Sequence, residues 1–394
     1  MKDIKILYVD MNKLTKNDIV WGLVELGIDV ERYDRKVPIE GVDYDEAELL
    51  YKQLNQYDVV MSQNFSSTIA EACHKKHIPY VSWIYDAPQS QSYNNEAGYD
   101  ECYLFTFDRN QQKRLKNAEI KHVYHQPLAA NIAMTSALNI SDEDIRRFSS
   151  DLSFVGTMYK TTYYNELYDG MPLSMRKHFD RVIADNYCRW NGNSIYNQLG
   201  PMEIEAIYKI MNKDGLTGSK IPLAYLIESL MFPVEISGRE RKVLLNEASK
   251  VCDVAIYTRN PDIFRSELMG KVYPPVDGET DLYKVYYSSK INLNVSLHSI
   301  ESGIPQRVFD IMAVGGFVLS NYQAEIEELF EVDKEIVTYR SMDEYMDKVK
   351  YYLAHEEQRI RIGINGYLKV RDNYTYPIIL EKILNLVCKD WGIK

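Results

Sequence analysis

The stretch KINLNVSLHSIESGIPQRVFDIMAVGGFVLSN, residues 290–321, has the pattern of a strand, a loop, a helix and a second strand. Apolar and polar side chains alternate over residues 291–295, as is typical of a strand. A polar loop then leads into an apolar helix at 308–314, which Gly315-Gly316 ends before the next strand begins at Phe317. The stretch therefore predicts a strand-helix-strand unit of a parallel sheet.

The loop from Leu297 to Gln306 is the first candidate for a binding site. Ligands of parallel sheets bind outside the carboxyl ends of the strands, where this loop is expected to lie. Arg307 can pair bidentately with a phosphate, and Asp310, one turn further along the helix, can accept hydrogen bonds from ribose hydroxyls. The backbone amides at the start of the helix favour an anion as well. These residue types indicate a nucleotide site.

The chain before this stretch repeats the alternation of strands and helices. Strands are predicted at 4–9, 28–33, 58–62, 78–85, 102–107 and 120–125. The interleaved helices predict a doubly wound parallel sheet, which we assign to a first domain at 1–130. The polar segment 131–150, with Ser141 as a helix cap, is predicted to connect the domains.

The rest of the chain predicts a second α/β domain of the same kind, over residues 151–374. It starts with a strand at 151–155 and contains further strands at 251–257, 291–295 and 317–319. Residues 159–235 have a largely helical composition and are interpreted as a helical insertion. A final helix at 375–394 is expected to pack back on the first domain.

Length and composition limit the functional classes. The 394 residues suit two domains, and the net charge of -11 argues against a nucleic-acid-binding surface. Five dispersed cysteines indicate reduced thiols and an intracellular compartment. No apolar run is long enough for a transmembrane helix, so the sequence predicts a soluble, cytoplasmic protein without a transmembrane segment.

The run SGIPQRVFDIMAVGGFVLSN (302–321), followed by EELF (327–330) and KEIVTYRSMDEYMDKVKYYLAHEEQR (334–359), resembles a known family. It is similar to the carboxyl-terminal domain of CgeB-type (spore maturation protein-like) glycosyltransferases, over residues 152–376. The resemblance implies the GT-B fold, in which two Rossmann-like domains face each other across a cleft. It also implies a nucleoside-diphosphate sugar as the donor, most commonly a UDP-sugar.

The resemblance extends to the related glycosyltransferase family 4. Asp310-Ile311-Met312-Ala313 stands where that family has a Glu-Ala-Met-Ala segment whose acid holds the donor ribose. An earlier acid of that family falls on Ser302, with Glu301 beside it as a candidate. The loop after the first strand of the domain supplies a basic residue in family 4, and Lys160 is its nearest counterpart here.

Further donor-side candidates lie at the ends of predicted strands. Gly156 ends one strand and allows a diphosphate to approach its backbone closely. Tyr257, at the end of another strand, can contact the base, or the segment is an ordinary turn. His298 and Ser299 can contact phosphate or sugar, although a loop histidine more often has a structural role. Arg307 and Asp310 have the alternative interpretation of surface charges on a helix.

The acceptor-side candidates belong to the first domain. Asp86 follows an apolar strand, and a carboxylate there can act as the general base of an inverting transferase. Its alternative role is that of a turn residue before Pro88. His125 is the alternative base. For both positions the sequence leaves the choice open.

The sequence predicts no obligatory metal and no cofactor. His74 and His77 lie three residues apart on a predicted helix without a third ligand, which favours a structural role. The Asp-x-Asp matches at 43–45 and 142–144 lie in acidic helical or linker segments and are interpreted as accidental. A phosphate-binding GxxxxGK[ST] loop and a GxGxxG fingerprint are both absent from the sequence.

The sequence as a whole predicts a glycosyltransferase that moves a sugar from a nucleoside-diphosphate donor, with UDP as the expected nucleotide, to an acceptor hydroxyl. The acceptor is a protein, a glycan or a small molecule. Two alternatives stay open: a GT-B-fold nucleotide-sugar epimerase, and a catalytically silent scaffold or binding protein. Donor turnover distinguishes the three.

Overall fold

The computed structural model describes residues 4–11, 16–159, 162–189, 195–213 and 223–393. The chain forms two compact units. The first contains the described residues up to Asn131 together with those from Asn373 onward. The second contains the described residues between Ile132 and Asp372.

The first unit is built on a parallel sheet of six strands in the order β2-β1-β3-β4-β5-β6. The strands are β1 (Lys5–Val9), β2 (Asp29–Tyr33), β3 (Val59–Gln63), β4 (Tyr80–Ile84), β5 (Cys102–Thr106) and β6 (His122–His125). The helices are α1 (Lys16–Glu25), α2 (Tyr44–Gln53), α3 (Ser67–Lys76), α4 (Arg109–Asn117) and, at the carboxyl terminus, α18 (Tyr376–Trp391). Every residue of β3, β4 and β5 is buried, as expected for central strands covered on both faces.

Helix α18 packs against α1 at a glycine. A Cβ atom built on Gly22 would lie 2.7 Å from Leu380 Cδ1 and 2.8 Å from Tyr376 Cβ. Only glycine therefore allows the two helices to approach this closely. Gly392, at φ 65°, ends α18 in the left-handed region.

The second unit is built on another parallel sheet of six strands, in the order β12-β11-β10-β7-β8-β9. The strands are β7 (Ser150–Val155), β8 (Val254–Tyr257), β9 (Lys271–Tyr273), β10 (Ser289–Asn294), β11 (Val318–Asn321) and β12 (Val337–Tyr339). The helices before β8 are α5 (Ile132–Ala137), α6 (Asp142–Phe148), α7 (Thr162–Gly170), α8 (Leu173–Asp185), α9 (Pro201–Lys213), α10 (Leu223–Leu226) and α11 (Phe232–Ser249). Those after β8 are α12 (Pro261–Phe264), α13 (Asp281–Ser288), α14 (Gln306–Ala313), α15 (Ala324–Leu329), α16 (Met342–Ala354) and α17 (Glu356–Asn373).

The core of the second unit lies between its sheet and the helices packed on it. Leu152, Phe154, Leu293 and Leu319 from the strands pack with Leu245 of α11 in one buried cluster. At about 25 cal/mol per Å² of buried apolar surface, such side chains supply most of the favourable free energy of folding. The second unit therefore has a hydrophobic core of its own.

Two doubly wound parallel sheets confirm the predicted α/β fold class. The strand-helix-strand unit at 290–321 is present as β10, α14 and β11. The segment 131–150, predicted as a connection, contains α5 and α6, and Ser141 and Asp144 form a capping box at the start of α6. In the described parts of the chain, no helix is long and apolar enough to cross a bilayer.

Candidate functional site

The order of strands reverses between β7 and β10 in the second sheet. From β7 the chain continues through β8 and β9 on one side, and β10, β11 and β12 lie on the other. The loops after β7 and β10 therefore leave a crevice at the carboxyl edge of the sheet, which is the usual ligand site of such sheets. The first of these loops begins with Gly156, and the second runs from Val295 to Pro305 into α14.

Arg307, in the first turn of α14, reaches over this crevice. Its Nη1 donates a hydrogen bond of 2.9 Å to Asn294 Oδ1 at the end of β10. The guanidinium carbon lies 5.3 Å from the centre of the Phe154 ring of β7, a cation–π distance. Arg307 also interacts with the buried phenol of Tyr286, whose pKa burial raises. Contacts with β7, β10 and α13 thus hold the positive charge of Arg307 above the point where β7 and β10 end.

Asn294 is oriented by two hydroxyl groups. Its Nδ2 donates to Ser320 Oγ at 2.8 Å and to Ser296 Oγ at 3.2 Å, which turns Oδ1 toward Arg307. Asn294 is fully buried in a central strand, where apolar residues are usual. The alternation of polar residues along 291–296 was therefore a usable signal in the sequence, because buried amides require partners.

Gly156 leaves the space that the Arg307 guanidinium occupies. A Cβ atom at residue 156 would lie 2.7 Å from Arg307 Nη2 and 3.0 Å from Phe154 Cζ. The glycine predicted for close backbone approach is thus adjacent to the arginine predicted for phosphate binding. Lys160, the predicted basic partner in this loop, lies outside the described residues.

Asp310 lies one turn along α14 from this pair. It is half-buried, and its Oδ1 accepts a hydrogen bond of 2.8 Å from Gln306 Nε2. The carboxylate is therefore held on the same face of the helix start as Gln306. This arrangement suits a carboxylate that accepts hydrogen bonds from hydroxyl groups.

His298 and Ser299 lie in the loop after β10 but are buried. The His298 side chain is 6% exposed, and its Nε2 lies 2.7 Å from Oε2 of the fully buried Glu240 of α11. The backbone amide of His298 also donates to Ser237 Oγ at 2.9 Å. The histidine therefore ties the loop to α11, which corresponds to the structural alternative that the sequence left open. Ser299 is likewise buried.

Arg241 of α11 is a residue that the sequence analysis missed. It is 2% exposed and contacts the loops after β7 and β10. The available signal was its helical spacing, since Arg241 is in phase with Ser237, Leu244 and Leu245 on the buried face of α11. A charged residue at such a position needs specific partners.

A cavity of about 490 Å³ adjoins the loop after β7. Its lining includes Thr157 and Tyr159 from that loop and Arg259 from the loop after β8. Tyr257, two residues before Arg259, does not line the cavity: it is buried and stacked on Tyr273 with 5.1 Å between the ring centres, and burial raises its pKa to about 12. The predicted base-contact segment thus contributes the exposed Arg259 to the cavity, and not Tyr257.

Asp86 follows β4 at the carboxyl edge of the first sheet. Its Oδ2 accepts a hydrogen bond of 2.8 Å from Asn64 Nδ2, and Asn64 Oδ1 accepts from the amides of Tyr85 at 2.8 Å and Asp86 at 3.3 Å. Asn64 has φ 66°, a conformation that is uncommon for a residue other than glycine. Such outliers cluster at functional sites, which makes Asn64 a second residue of interest that the sequence did not indicate.

A second amide side chain fixes the same loop. Gln89 Nε2 donates to the carbonyl oxygen of Phe65 at 2.7 Å, and Gln89 Oε1 accepts from the Phe65 amide at 3.1 Å. The loops after β3 and β4 are therefore joined at two points, and the turn that carries Asp86 is held in place.

His125 ends β6, two strands away from β4. The register pairs Ile84 with Thr106 and Thr106 with His125. With about 4.8 Å between neighbouring strands, the backbones after β4 and at His125 are separated by about 10 Å. The two residues that the sequence offered as candidate bases therefore lie at the same edge of the first sheet.

His74 and His77 share one carboxylate. His74 Nδ1 lies 2.7 Å from Glu101 Oε2, and His77 Nδ1 lies 3.1 Å from Glu101 Oε1. Within the described ranges, no group of three or more His, Cys, Asp or Glu residues is arranged to hold a metal ion. The pair anchors the end of α3 to the start of β5, as the structural interpretation of these histidines predicted.

Comparison with solved structures identifies this architecture as the GT-B fold. HepE of Anabaena in complex with UDP-glucose has a TM-score of 0.55 at 12% identity, with 98% of this chain and 100% of that chain covered. Sucrose-phosphate synthase of Thermosynechococcus elongatus has a TM-score of 0.56 at 8% identity, covering 99% of this chain and 100% of that one. At such identities the likeness concerns the fold.

The amino-acid sequence adds evidence of its own. Residues 244–385 match the family model described as "Glycosyl transferase-like". This segment includes β10, α14 and β11, and with them Asn294, Arg307 and Asp310. A search of curated proteins found no match.

Proposed function

We propose that the protein is a glycosyltransferase that moves a sugar from a nucleoside-diphosphate donor, UDP-linked, to an acceptor hydroxyl. The observation that carries the proposal is the position of Arg307. Its guanidinium lies between the loops after β7 and β10, at the point of the sheet where ligands bind. The segment around it matches the glycosyl transferase-like family. Arg307 lies within the matched segment, so both observations support the same site.

On the donor side, Arg307 and the backbone at Gly156 bind the diphosphate, with Lys160 as a further cation. Charge-assisted hydrogen bonds from a planar guanidinium suit diphosphate oxygens better than a point charge does. Asp310 accepts hydrogen bonds from the ribose hydroxyls. No metal is required in this scheme, because cationic side chains stabilise the leaving diphosphate.

The nucleobase occupies the cavity next to the loop after β7. Arg259 and Tyr159 line this cavity and can contact the base. The choice of uridine rests on likeness: HepE of Anabaena was crystallised with UDP and with UDP-glucose. His298 contributes by holding the loop after β10 against α11.

On the acceptor side, Asp86 is assigned as the general base of an inverting reaction. The acceptor hydroxyl loses its proton to the carboxylate, and its oxygen forms the new bond to the anomeric carbon. The bond from that carbon to the diphosphate oxygen breaks, and its electron pair leaves with the nucleoside diphosphate. Asn64 orients the Asp86 carboxylate for this proton transfer, because its Nδ2 donates a 2.8 Å hydrogen bond to Asp86 Oδ2.

The finer classification follows the resemblance over residues 302–359 to CgeB-type glycosyltransferases. Proteins, glycans and small molecules with free hydroxyl groups all fit as acceptors. The cytoplasmic location stays a prediction from the sequence. The proposed glycosyltransferase activity does not depend on the finer family, the acceptor or the location.

The test is donor turnover with a panel of nucleotide sugars, in the presence and absence of simple glycoside acceptors. We expect slow release of UDP from one donor, faster release with a suitable acceptor, and loss of both in Arg307→Ala. Interconversion of the sugar without UDP release would instead identify an epimerase. Absence of both turnover and nucleotide binding would identify a silent scaffold.

A further inference from the structure

Arg241 joins the two loops at the switch point of the second sheet. Its Nη1 donates to the carbonyl oxygen of Thr157, and its Nη2 donates to the carbonyl oxygen of Val295, both at 2.5 Å. Thr157 lies two residues after β7, and Val295 directly follows β10. One buried side chain therefore sets the separation of the two loops that border the crevice.

The Arg241 guanidinium forms no salt bridge with a carboxylate among the described residues. Burial lowers its pKa, yet an arginine stays protonated in proteins. It interacts with Tyr159 and is attracted by the neighbouring Glu240 carboxylate, but that carboxylate is already paired with His298. Arg307 likewise donates to an amide oxygen, of Asn294, without a described salt bridge. A buried cation with no salt bridge of its own is costly.

The two arginines lie against the same ring. The guanidinium carbons of Arg241 and Arg307 are each 5.3 Å from the centre of the Phe154 ring. The two guanidinium groups carry like charges and repel each other. The repulsion from Arg307 contributes, after burial, to lowering the pKa of Arg241. An anion bound between the loops would reduce this repulsion and add a negative charge beside both guanidinium groups.

Neighbouring residues on α11 reinforce the same connection. Ser237 accepts a hydrogen bond from the His298 amide, and Glu240 pairs with the His298 ring. Gly238 lies so close to the loop after β7 that a Cβ there would be 3.0 Å from the carbonyl oxygens of both Met158 and Tyr159. The first half of α11 is therefore packed tightly against both loops.

We propose that Arg241 is a positioning residue for the diphosphate of the substrate. By bonding Thr157 and Val295 it places the backbone after β7 and the start of α14 at the separation that a diphosphate spans. Its charge adds to that of Arg307 at this position. The proposal rests on the proposed function for the identity of the ligand, and on the geometry alone for the presence of an anion site.

The experiment measures binding of inorganic pyrophosphate and of UDP, by calorimetry, to the native chain and to three variants. Arg241→Met removes the charge and both hydrogen bonds. Arg241→Lys keeps the charge but cannot span two carbonyl oxygens. Lys242→Met is the matched control, since it removes one positive charge from the next residue, whose ammonium pairs with Glu267.

We expect pyrophosphate and UDP affinity to fall at least about thirtyfold in Arg241→Met and about fivefold in Arg241→Lys. Lys242→Met should change either affinity less than about twofold, as a surface ion pair does. Recovery by lysine is the decisive readout, because a purely structural brace would not depend on charge. Should Arg241→Met fail to fold, Arg241→Gln, which is neutral and keeps an amide donor, replaces it in the comparison.

Native affinity for pyrophosphate in Arg241→Met would overturn the inference, and so would equal losses in the lysine and methionine variants. Absence of pyrophosphate binding to the native chain would overturn it as well. If the native chain binds pyrophosphate but no nucleoside diphosphate, the proposed function fails. The inference is then decided by the pyrophosphate data alone.

Discussion

The carboxyl edges of the two sheets have the same architecture but differ in the charged groups that they carry. In the first unit the residues that follow β1, β4 and β5 include Asp10, Asp86 and Asp108. In the second unit the corresponding region contains Arg307 and the buried Arg241. Parallel sheets of the same kind thus present carboxylates in the first unit and guanidinium groups in the second.

The two edges also differ in what holds their charged groups. The Asp86 carboxylate accepts a hydrogen bond from the side-chain amide of Asn64. Arg307 is fixed by Asn294 Oδ1 and by aromatic rings. In both units an amide side chain thus orients a charged group at the carboxyl edge of the sheet. The proposed function assigns the binding of an anion to the second edge and proton transfer to the first.

The largest effect is expected from Arg307→Ala. Loss of the bidentate guanidinium should weaken UDP binding about 100-fold, or about 2.7 kcal/mol. Isothermal titration calorimetry measures this change. Arg340→Ala is the control: it removes an exposed arginine of the same unit that pairs with Glu327, and should leave UDP affinity unchanged. Equal affinities of Arg307→Ala and the native chain would remove the basis for an anion site at this edge.

A smaller effect is expected from Gly156→Ala. The added methyl group must displace Arg307 Nη2, which would lie 2.7 Å from it, and we expect UDP affinity to fall about tenfold. Arg307 Nη2 ends a flexible side chain, and Phe154 Cζ, at 3.0 Å, needs to move by only a few tenths of an ångström, so the melting temperature should change little. Gly170→Ala, where a Cβ meets no atom within 4 Å, is the control. A large loss of stability with unchanged affinity would mean that residue 156 serves the fold alone.

At the acidic edge, Asn64→Gly should affect turnover and leave donor binding intact. Glycine tolerates the φ of 66° at this position, so the variant removes the side chain without backbone strain. Freed from its 2.8 Å hydrogen bond, Asp86 should lose orientation, and acceptor-dependent turnover should fall about fivefold. Steady-state kinetics with saturating donor measures this loss. A change in UDP affinity of the same size would contradict the division of roles between the edges.

The smallest effect concerns a carboxylate away from both edges. Hydrogen bonds from Ser141 and the nearby Lys284 lower the pKa of Asp144 to about 2. Because the pKa of Asp144 is lower in the folded chain, its ionised carboxylate stabilises the fold at pH values above the unfolded-state pKa of about 3.9. This stabilisation is lost as the pH falls toward 2. Between these values the native chain should lose slightly more stability than Asp144→Asn in chemical denaturation, while UDP affinity at neutral pH stays the same. Parallel pH dependences would show that Asp144 is not stabilised in the folded chain.

Sequence reasoning predicted the fold from its strongest periodicity. The unit β10, α14 and β11 was readable because apolar positions recur at the strand and helix periods and two glycines separate the elements. Strands β9 and β12 were not predicted, since each has three residues and is too short to show a period. Their pairing is decided by the neighbouring strands.

For the site, sequence reasoning found the residues on the loops and missed those beneath them. Arg307 and Gly156 were predicted from residue type and position at strand ends. Arg241 and Asn64 were not, because their roles depend on which carbonyl or carboxylate the fold brings within reach. His298 shows the same limit: a loop position indicated ligand contact, but the side chain direction is set by a buried glutamate.

The most direct test of the central claim is a crystal structure of the native chain with UDP. The account predicts that the diphosphate lies at the carboxyl edge of the second sheet, within hydrogen-bond distance of the Arg307 guanidinium and of the backbone amides after β7. UDP bound at the acidic edge of the first sheet, or bound in the second unit without contact to Arg307, would contradict the account.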